Sequence, residues 1–172
     1  MKKLSIFFVI GLGLCTVAAA QNTSIYTSTS TKACKTIESS AKEAGFYRGR
    51  CPGVGGYRLE LLEGDLRQTL NVITPAKKKS ELNFWQYNGS FSSIGEKVEW
   101  RLSKGVPVAL IARFNVSNPE DSAKTTSFLV VSKIGRKESC VVEIIDPVAK
   151  QNEKARVSAD GAASKPCLAL PN

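Results

Sequence analysis

Four cysteines in two separated pairs set the tightest limit on how this chain can fold. Cys34 and Cys51 stand near one end, Cys140 and Cys167 near the other. Four cysteines allow three pairings. Cys34–Cys51 and Cys140–Cys167 are the expected ones, because each pair is close in sequence and sits in its own structural segment. They close loops of 16 and 26 residues. In the chain-entropy account, loops of that size contribute about 3 kcal/mol each. Zinc is the rival use of four cysteines. No Cys-x-x-Cys spacing and no histidine occurs to support it.

The pairing presumes an oxidising compartment, and the N-terminus points to one. Lys2 and Lys3 are followed by an apolar run from Leu4 to Val17 and by Ala18-Ala19-Ala20. A basic start, a short apolar stretch and a small-x-small site describe a secretory signal peptide over residues 1–20, cleaved after Ala20. A membrane anchor is one alternative, but the run falls short of the roughly 20 residues that a spanning helix needs. A lipoprotein attached through Cys15 is another, disfavoured by the bulky Leu14 before it. Cleavage leaves 152 of the 172 residues, a length that suits one domain over 21–172, and it removes the fifth cysteine. It also takes Lys2 and Lys3, so 22 basic residues face 15 acidic ones and the net charge becomes +7. The expected location is the periplasm or the exterior, with no transmembrane segment after signal removal.

Alternation dominates the mature chain. Residues 21–32 are rich in Ser and Thr and read as an extended arm, with Tyr26 as its anchor. Cys34–Glu38 reads as a short strand and Lys42–Gly45 as a turn. In Phe46–Cys51, Phe46, Arg48 and Arg50 share one face. Pro52-Gly53 and Gly55-Gly56 turn the chain. Tyr57, Leu59 and Leu61 then oppose Arg58 and Glu60, and after a turn at Glu63-Gly64-Asp65, Leu70 and Val72 oppose Thr69, Asn71 and Ile73. Thr74–Ser93 breaks the pattern with Lys77-Lys78-Lys79 and the aromatics Phe84, Trp85, Tyr87 and Phe91. It reads as the largest irregular excursion, and long loops often carry function. Lys97–Leu102 faces Val98, Trp100 and Leu102 inward and Lys97, Glu99 and Arg101 outward. Val106–Val116 is the longest strand signal. Ser127–Ile134 and Ser139–Ile145 are nearly continuous apolar runs, expected as a central hairpin covered on both faces. Asp146-Pro147 has the form of a helix start. Val148, Asn152, Ala155, Ala159 and Ala162 would share a helical face ended by Gly161. The expected fold is α+β and mainly antiparallel: six to eight strands with one C-terminal helix packed on the sheet.

The absence of histidine removes Ser-His and Cys-His nucleophile pairs and imidazole metal sites. No nucleotide-binding or hydrolase motif occurs, and no cofactor or metal is expected. Among the carboxylates, Glu60, Glu63 and Asp65 are close enough in sequence for an acid pair acting on glycans. The competing reading is a solvated strand face with an Asp65–Arg67 turn contact. Arg48, Arg50 and Arg58 fall on polar strand faces, and Lys77, Lys78 and Lys79 precede the aromatic cluster. Cations interleaved with aromatics hold glycans, lipid headgroups or nucleic acid. Export argues against nucleic acid.

The ordered series Tyr26-Thr27, Cys34, CPGVGGY (Cys51–Tyr57), EGDLR (Glu63–Arg67), GEKVEWRL (Gly95–Leu102), FLVVSKI (Phe128–Ile134), Cys140 and Cys167 resembles a group of small exported bacterial proteins of unknown function. The resemblance implies a shared fold and export, and no activity. This chain departs in its KKK segment and higher positive charge.

These readings converge on an exported, disulfide-stapled, non-catalytic domain that binds a protein or an anionic envelope component; an inhibitor fits this class. The candidate ligand-binding residues are Arg58, Asp65, Arg67, Lys77, Lys78, Lys79 and Trp85. A carboxylate-based glycan-active enzyme and a cationic module for anionic lipid or polysaccharide are the alternatives.

Overall fold

The computed structural model describes residues 22–42, 45–121 and 123–169. The signal-peptide reading and part of the Lys42–Gly45 turn lie outside the described residues. In chain order the strands are β1 (Thr23–Ser28), β2 (Lys35–Ser40), β3 (Phe46–Cys51), β4 (Arg58–Gly64), β5 (Arg67–Ile73), β6 (Lys79–Glu81), β7 (Ser92–Ser103), β8 (Val106–Ser117), β9 (Thr125–Lys133) and β10 (Cys140–Ile145). One α-helix, α1 (Gln151–Asp160), follows. The strands form one sheet in the order β10-β9-β8-β7-β5-β4-β3-β2, with β1 added beside β7 and β6 beside β5. Pairing is antiparallel except at the seam, where Arg67 of β5 and Ser92 of β7 meet in a parallel bridge. Gln68 locks that seam: its amide donates to Glu63 Oε2 and its carbonyl accepts the Ile94 N–H at 2.8 Å.

About the seam the sheet folds onto itself. Alternation sends Leu59, Leu61, Leu70 and Val72 of the first half against Val98, Trp100, Leu110, Ala112, Phe114 and Val130 of the second. Aromatic contacts tie the halves, with Tyr57 and Trp100 centroids 6.3 Å apart and Phe84 edge-on to Phe114 at 5.7 Å. The outer face of the second half is also apolar. Ala109, Ile111, Leu129, Val131, Val142 and Ile145 pack against Ala155 and Ala159 of α1 and against Ala162 beyond it. Small helical residues bring the helix close to the sheet. The outer face of the first half carries Arg50, Arg58, Glu60, Thr69, Asn71 and Ile73, and no α-helix lies on it among the described residues.

The mainly antiparallel α+β fold and its C-terminal helix match the sequence expectation, as do both disulfides, Cys34–Cys51 and Cys140–Cys167. The first joins the paired ends of β2 and β3; the second ties the tail to β10, where the Leu168 N–H donates to Val141 O at 2.7 Å. The CPGVGGY turn needs its glycines: a Cβ on Gly53 would lie 2.2 Å from the Tyr57 carbonyl oxygen, and Gly55 and Gly56 have φ of +60° and +85°.

Several expectations are corrected. Among the described residues the sheet has ten strands, because the Ser/Thr-rich arm pairs with β7 as β1 and the excursion contains the three-residue β6. The β9–β10 hairpin is covered on both faces but is not central, since β10 is an edge strand. The helix begins at Gln151 rather than at Asp146-Pro147. Lys150 takes a left-handed φ of 59°, and the Gln151 amide donates to the carbonyls of Ile145 and Ser127, which fixes the start four residues later. Val148 and Asn152 are consequently exposed, and Ser158 takes a buried place beside Ala155 and Ala159.

Glu99 and Arg101 do face away from the inner core, yet both are buried, because β1 and α1 close over them. Arg156 of α1 donates to Glu99 Oε1 at 2.8 Å, and Arg101 grips Asp160 through two nitrogens at 2.8 Å each. Ser24 and Tyr26 of β1 donate to the Glu99 carboxylate. Burial alone would raise the Glu99 pKa; hydrogen bonds from Arg156 and Ser24 and the Arg156 charge outweigh it and hold the carboxyl below its ordinary 4.5.

A carboxyl with a depressed folded value contributes stability above its unfolded pKa and loses it as pH falls through the folded one. Urea unfolding should therefore show stability declining below about pH 4.5. Glu99→Gln leaves the buried Arg101 and the partly exposed Arg156 short of a partner and should cost about 3 kcal/mol at pH 7, with a shallower acid limb. An unchanged acid limb in this variant would contradict the clamp.

Candidate functional site

The open face of the first half is a trough with two chemically different ends, β4, β5 and β6 forming its floor. A cavity of about 620 Å³ occupies the aromatic end, bordered by Phe46, Leu62, Glu63, Arg67, Asn83 and Trp85. A second, of about 540 Å³, occupies the cationic end, bordered by Arg50, Arg58, Lys77 and Lys79 around Glu60.

Trp85 is presented by a short 3-10 turn over Phe84–Gln86. Asn83 enters that turn in the left-handed region, with φ 49°. The Phe84 N–H donates to Thr69 Oγ1 at 3.0 Å, and its ring is fully buried against Phe114. With Phe84 anchored inward, the next side chain must leave the core, so Trp85 stands 41% exposed at the rim. Phe46, on the outer face of β3 as its alternation implies, forms the opposite wall at 36% exposure.

Arg67 divides this end from a smaller cleft beside Phe91. Its Nε donates to Gly89 O at 2.8 Å, its guanidinium pairs with Asp65, and it lies 5.4 Å over the Phe91 ring. Asp65 itself is in the β4–β5 turn, where Asp65 and Leu66 both have positive φ, 51° and 56°. A two-residue turn of that hand matches the twist of the hairpin. Asp65 therefore acts on the trough through Arg67.

Glu60 lies on the floor between the two ends. It is 4% exposed, which corrects the expectation of a solvated strand face. Asn71, its cross-strand partner, donates Nδ2 to Glu60 Oε1 at 3.2 Å. Lys79 Nζ stands 3.9 Å from Glu60 and 3.6 Å from Glu81, so one ammonium bridges two carboxylates. Arg50 approaches Glu60 from β3 at 3.9 Å. Arg48 is drawn off toward Glu38 at 3.1 Å on the β2 side. The trio Glu60, Glu63 and Asp65 does not assemble: strand parity separates Glu63 from Glu60, and Asp65 is out on the turn.

Of the sequence candidates, Arg67 and Trp85 border the aromatic end, and Arg58, Lys77 and Lys79 the cationic end. Lys78 is exposed outside both cavities. Its backbone N–H donates to Thr74 Oγ1 and its carbonyl accepts the Thr74 N–H, so it shapes the turn that presents Lys77. Sequence reading missed Asn71, Glu81, Asn83 and Phe46 as lining residues. Alternation placed Asn71 on the same parity as Thr69 and Ile73, and Phe46 with Arg50. No signal marked Glu81 or Asn83, which owe their places to β6.

No protein-family model, curated protein or solved structure matches the chain. The site therefore stands on its geometry.

Exposure separates site from core. Trp85→Ala should shift stability by no more than about 0.5 kcal/mol. Trp100→Ala, which empties a fully buried site and strands Thr27 Oγ1, should cost about 3–5 kcal/mol. Chemical denaturation of both variants checks the pair; comparable losses would place Trp85 in the core.

Proposed function

We propose that this chain is an exported, non-catalytic binding domain of the bacterial envelope or secretome that receives its ligand in the trough of the first half-sheet. One observation carries the reading. The two outer faces of the folded sheet are treated differently: α1 closes one, while the other keeps an exposed Trp85, a buried amide–carboxylate floor and a cluster of cations. A concave surface with an aromatic wall and convergent polar groups is the usual form of a binding site. Two disulfides fit an oxidising compartment, and among the described residues no helix is long and apolar enough to cross a membrane. The identity of the ligand, whether a protein or an envelope component, is what the experiment below decides.

Glu60 and Glu81, joined through Lys79, favour one second reading, a carboxylate-based enzyme acting on glycans. Paired carboxylates in one trough are what glycoside hydrolysis needs. Against it, each carboxylate is already engaged by a cation or an amide.

The oxidised mature protein, immobilised and titrated with fractionated envelope protein and glycan, should show saturable binding to a purified component. Trp85→Ala should abolish that binding at unchanged melting temperature, and Val157→Glu on the exposed side of α1 should keep it. Loss in the helix variant with retention in the trough variant would overturn the assignment. Release of reducing ends from a labelled envelope glycan, absent in Glu60→Gln, would replace binding with catalysis.

A further inference from the structure

The cationic end of the trough has more positive charge than its own acid can use. Glu60 is shared by Arg50 and Lys79, each at 3.9 Å, and Lys79 also stands 3.6 Å from Glu81 outside the recess; all three separations are beyond hydrogen-bond reach. Both cations therefore keep donors for something else. Among the described residues no carboxylate pairs with Arg58 or Lys77 at all; the Arg58 guanidinium donates to its neighbour's carbonyl, Tyr57 O, and Lys77 projects from the Thr74–Lys78 turn. Four cations thus surround one carboxylate in a recess of about 540 Å³. Such a recess concentrates anions.

The recess adjoins the aromatic end through one hydrogen-bonded pair on the shared strand floor. Asn71 lines the cavity beneath Trp85 and also holds Glu60, which lines the other. Six residue steps along β5 separate Arg67 at one end from Ile73 at the other, about 20 Å at roughly 3.3 Å per step. That length suits a chain laid along the strands rather than a single small ion. A flat lipid surface would meet cations on a projecting rim, whereas these stand around a hollow.

Building on the binding face assigned above, we propose that the trough takes an anionic polysaccharide lengthwise, an acidic substituent seated among Arg50, Arg58, Lys77 and Lys79 and a sugar ring stacked on Trp85. Glu60 holds Arg50 and Lys79 apart across the seat, and Asn71 fixes Glu60 in turn. Arg58 and Lys77 make the direct contacts to the acid. Glu81 on the aromatic side faces neutral hydroxyls, whose O–H groups its carboxylate accepts.

The protein carries its own reporter, since Trp85 is exposed and Trp100 is fully buried. Titration of the oxidised mature protein with oligogalacturonate and with a dextran sulfate fragment should change Trp85 emission, a response lost in Trp85→Phe. Arg58→Ala and Lys77→Ala, both at exposed positions, should weaken binding at least tenfold each, and raising salt should weaken it further. A malto-oligosaccharide of equal length should bind at least tenfold more weakly. Neutral and acidic sugars binding alike, or full affinity in both cation variants, would overturn the anion seat and leave the binding face standing. Binding to phosphatidylglycerol vesicles but to neither polyanion would mean a lipid surface instead, and a response to inorganic phosphate alone a small-ion site; each overturns the proposal. No response to any of these, combined with envelope binding that survives Trp85→Ala, would remove the binding face as well.

Discussion

Glu99 and Arg101 sit on a strand face that would be an exposed charged stripe if β7 stood alone. Their burial depends on Arg156 and Asp160 arriving from α1 and on Ser24 and Tyr26 arriving from β1. Taking these charges out of water is expensive, and only mutual pairing with additional hydrogen bonds offsets the loss. The network therefore accepts one docking position for the helix and one register for β1. Apolar contact through Ala155, Ala159 and Ala162 supplies the attraction; the ions supply the address. Among the described residues a single α-helix follows β10, so the outer face it selects is closed and the outer face of the first half-sheet is left without one. The existence of the trough is thus a consequence of where four charged side chains meet on the opposite side of the molecule.

The open face gains its character from local geometry of a few residues. Asn83 in the left-handed region turns Phe84 toward Phe114, and the Phe84 N–H bond to Thr69 holds it there. Trp85 is exposed as the next residue in the same tight turn. At the other end, the glycines of the CPGVGGY turn let β4 start close beneath Pro75, so that Arg58 and Lys77 border one cavity. A core anchor and a surface residue are adjacent in sequence in each case, and a one-residue change in the turn would exchange their places.

Much of this fold was legible in the residues. Period-two alternation identified the inner faces of β4, β5 and β7, and proximity in sequence selected both disulfides. What alternation cannot report is whether the opposite face is covered. Glu99 and Glu60 both read as outward, and both are buried, one beneath a helix and the other by long neighbouring side chains on its own sheet. Strands poor in apolar alternation gave little signal: β6 is Lys-Ser-Glu, held by its ladder to β5, and β1, legible only as an extended arm, owes its place to pairing with β7. The helix start misled because Asp146-Pro147 has favourable chemistry for a cap, while the side-chain bonds of Gln151 to two distant carbonyls decide the matter. Of the site, the cations and Trp85 could be named from sequence. Their division into two ends of one trough could not, because it depends on β6 folding back beside β5.

The central claim is that ligand enters on the β3–β6 face and not on the helix side. Side-chain amide and indole resonances of the oxidised chain over residues 21–172, followed by NMR during titration with oligogalacturonate, address it directly. Shifts confined to the Trp85 indole, the Asn71 and Asn83 amides and the Arg58 guanidinium, with Gln151 and Asn152 unmoved, are the predicted result. Shifts centred on Gln151, Asn152 and the helix surface, with the Trp85 indole unmoved, would contradict the account.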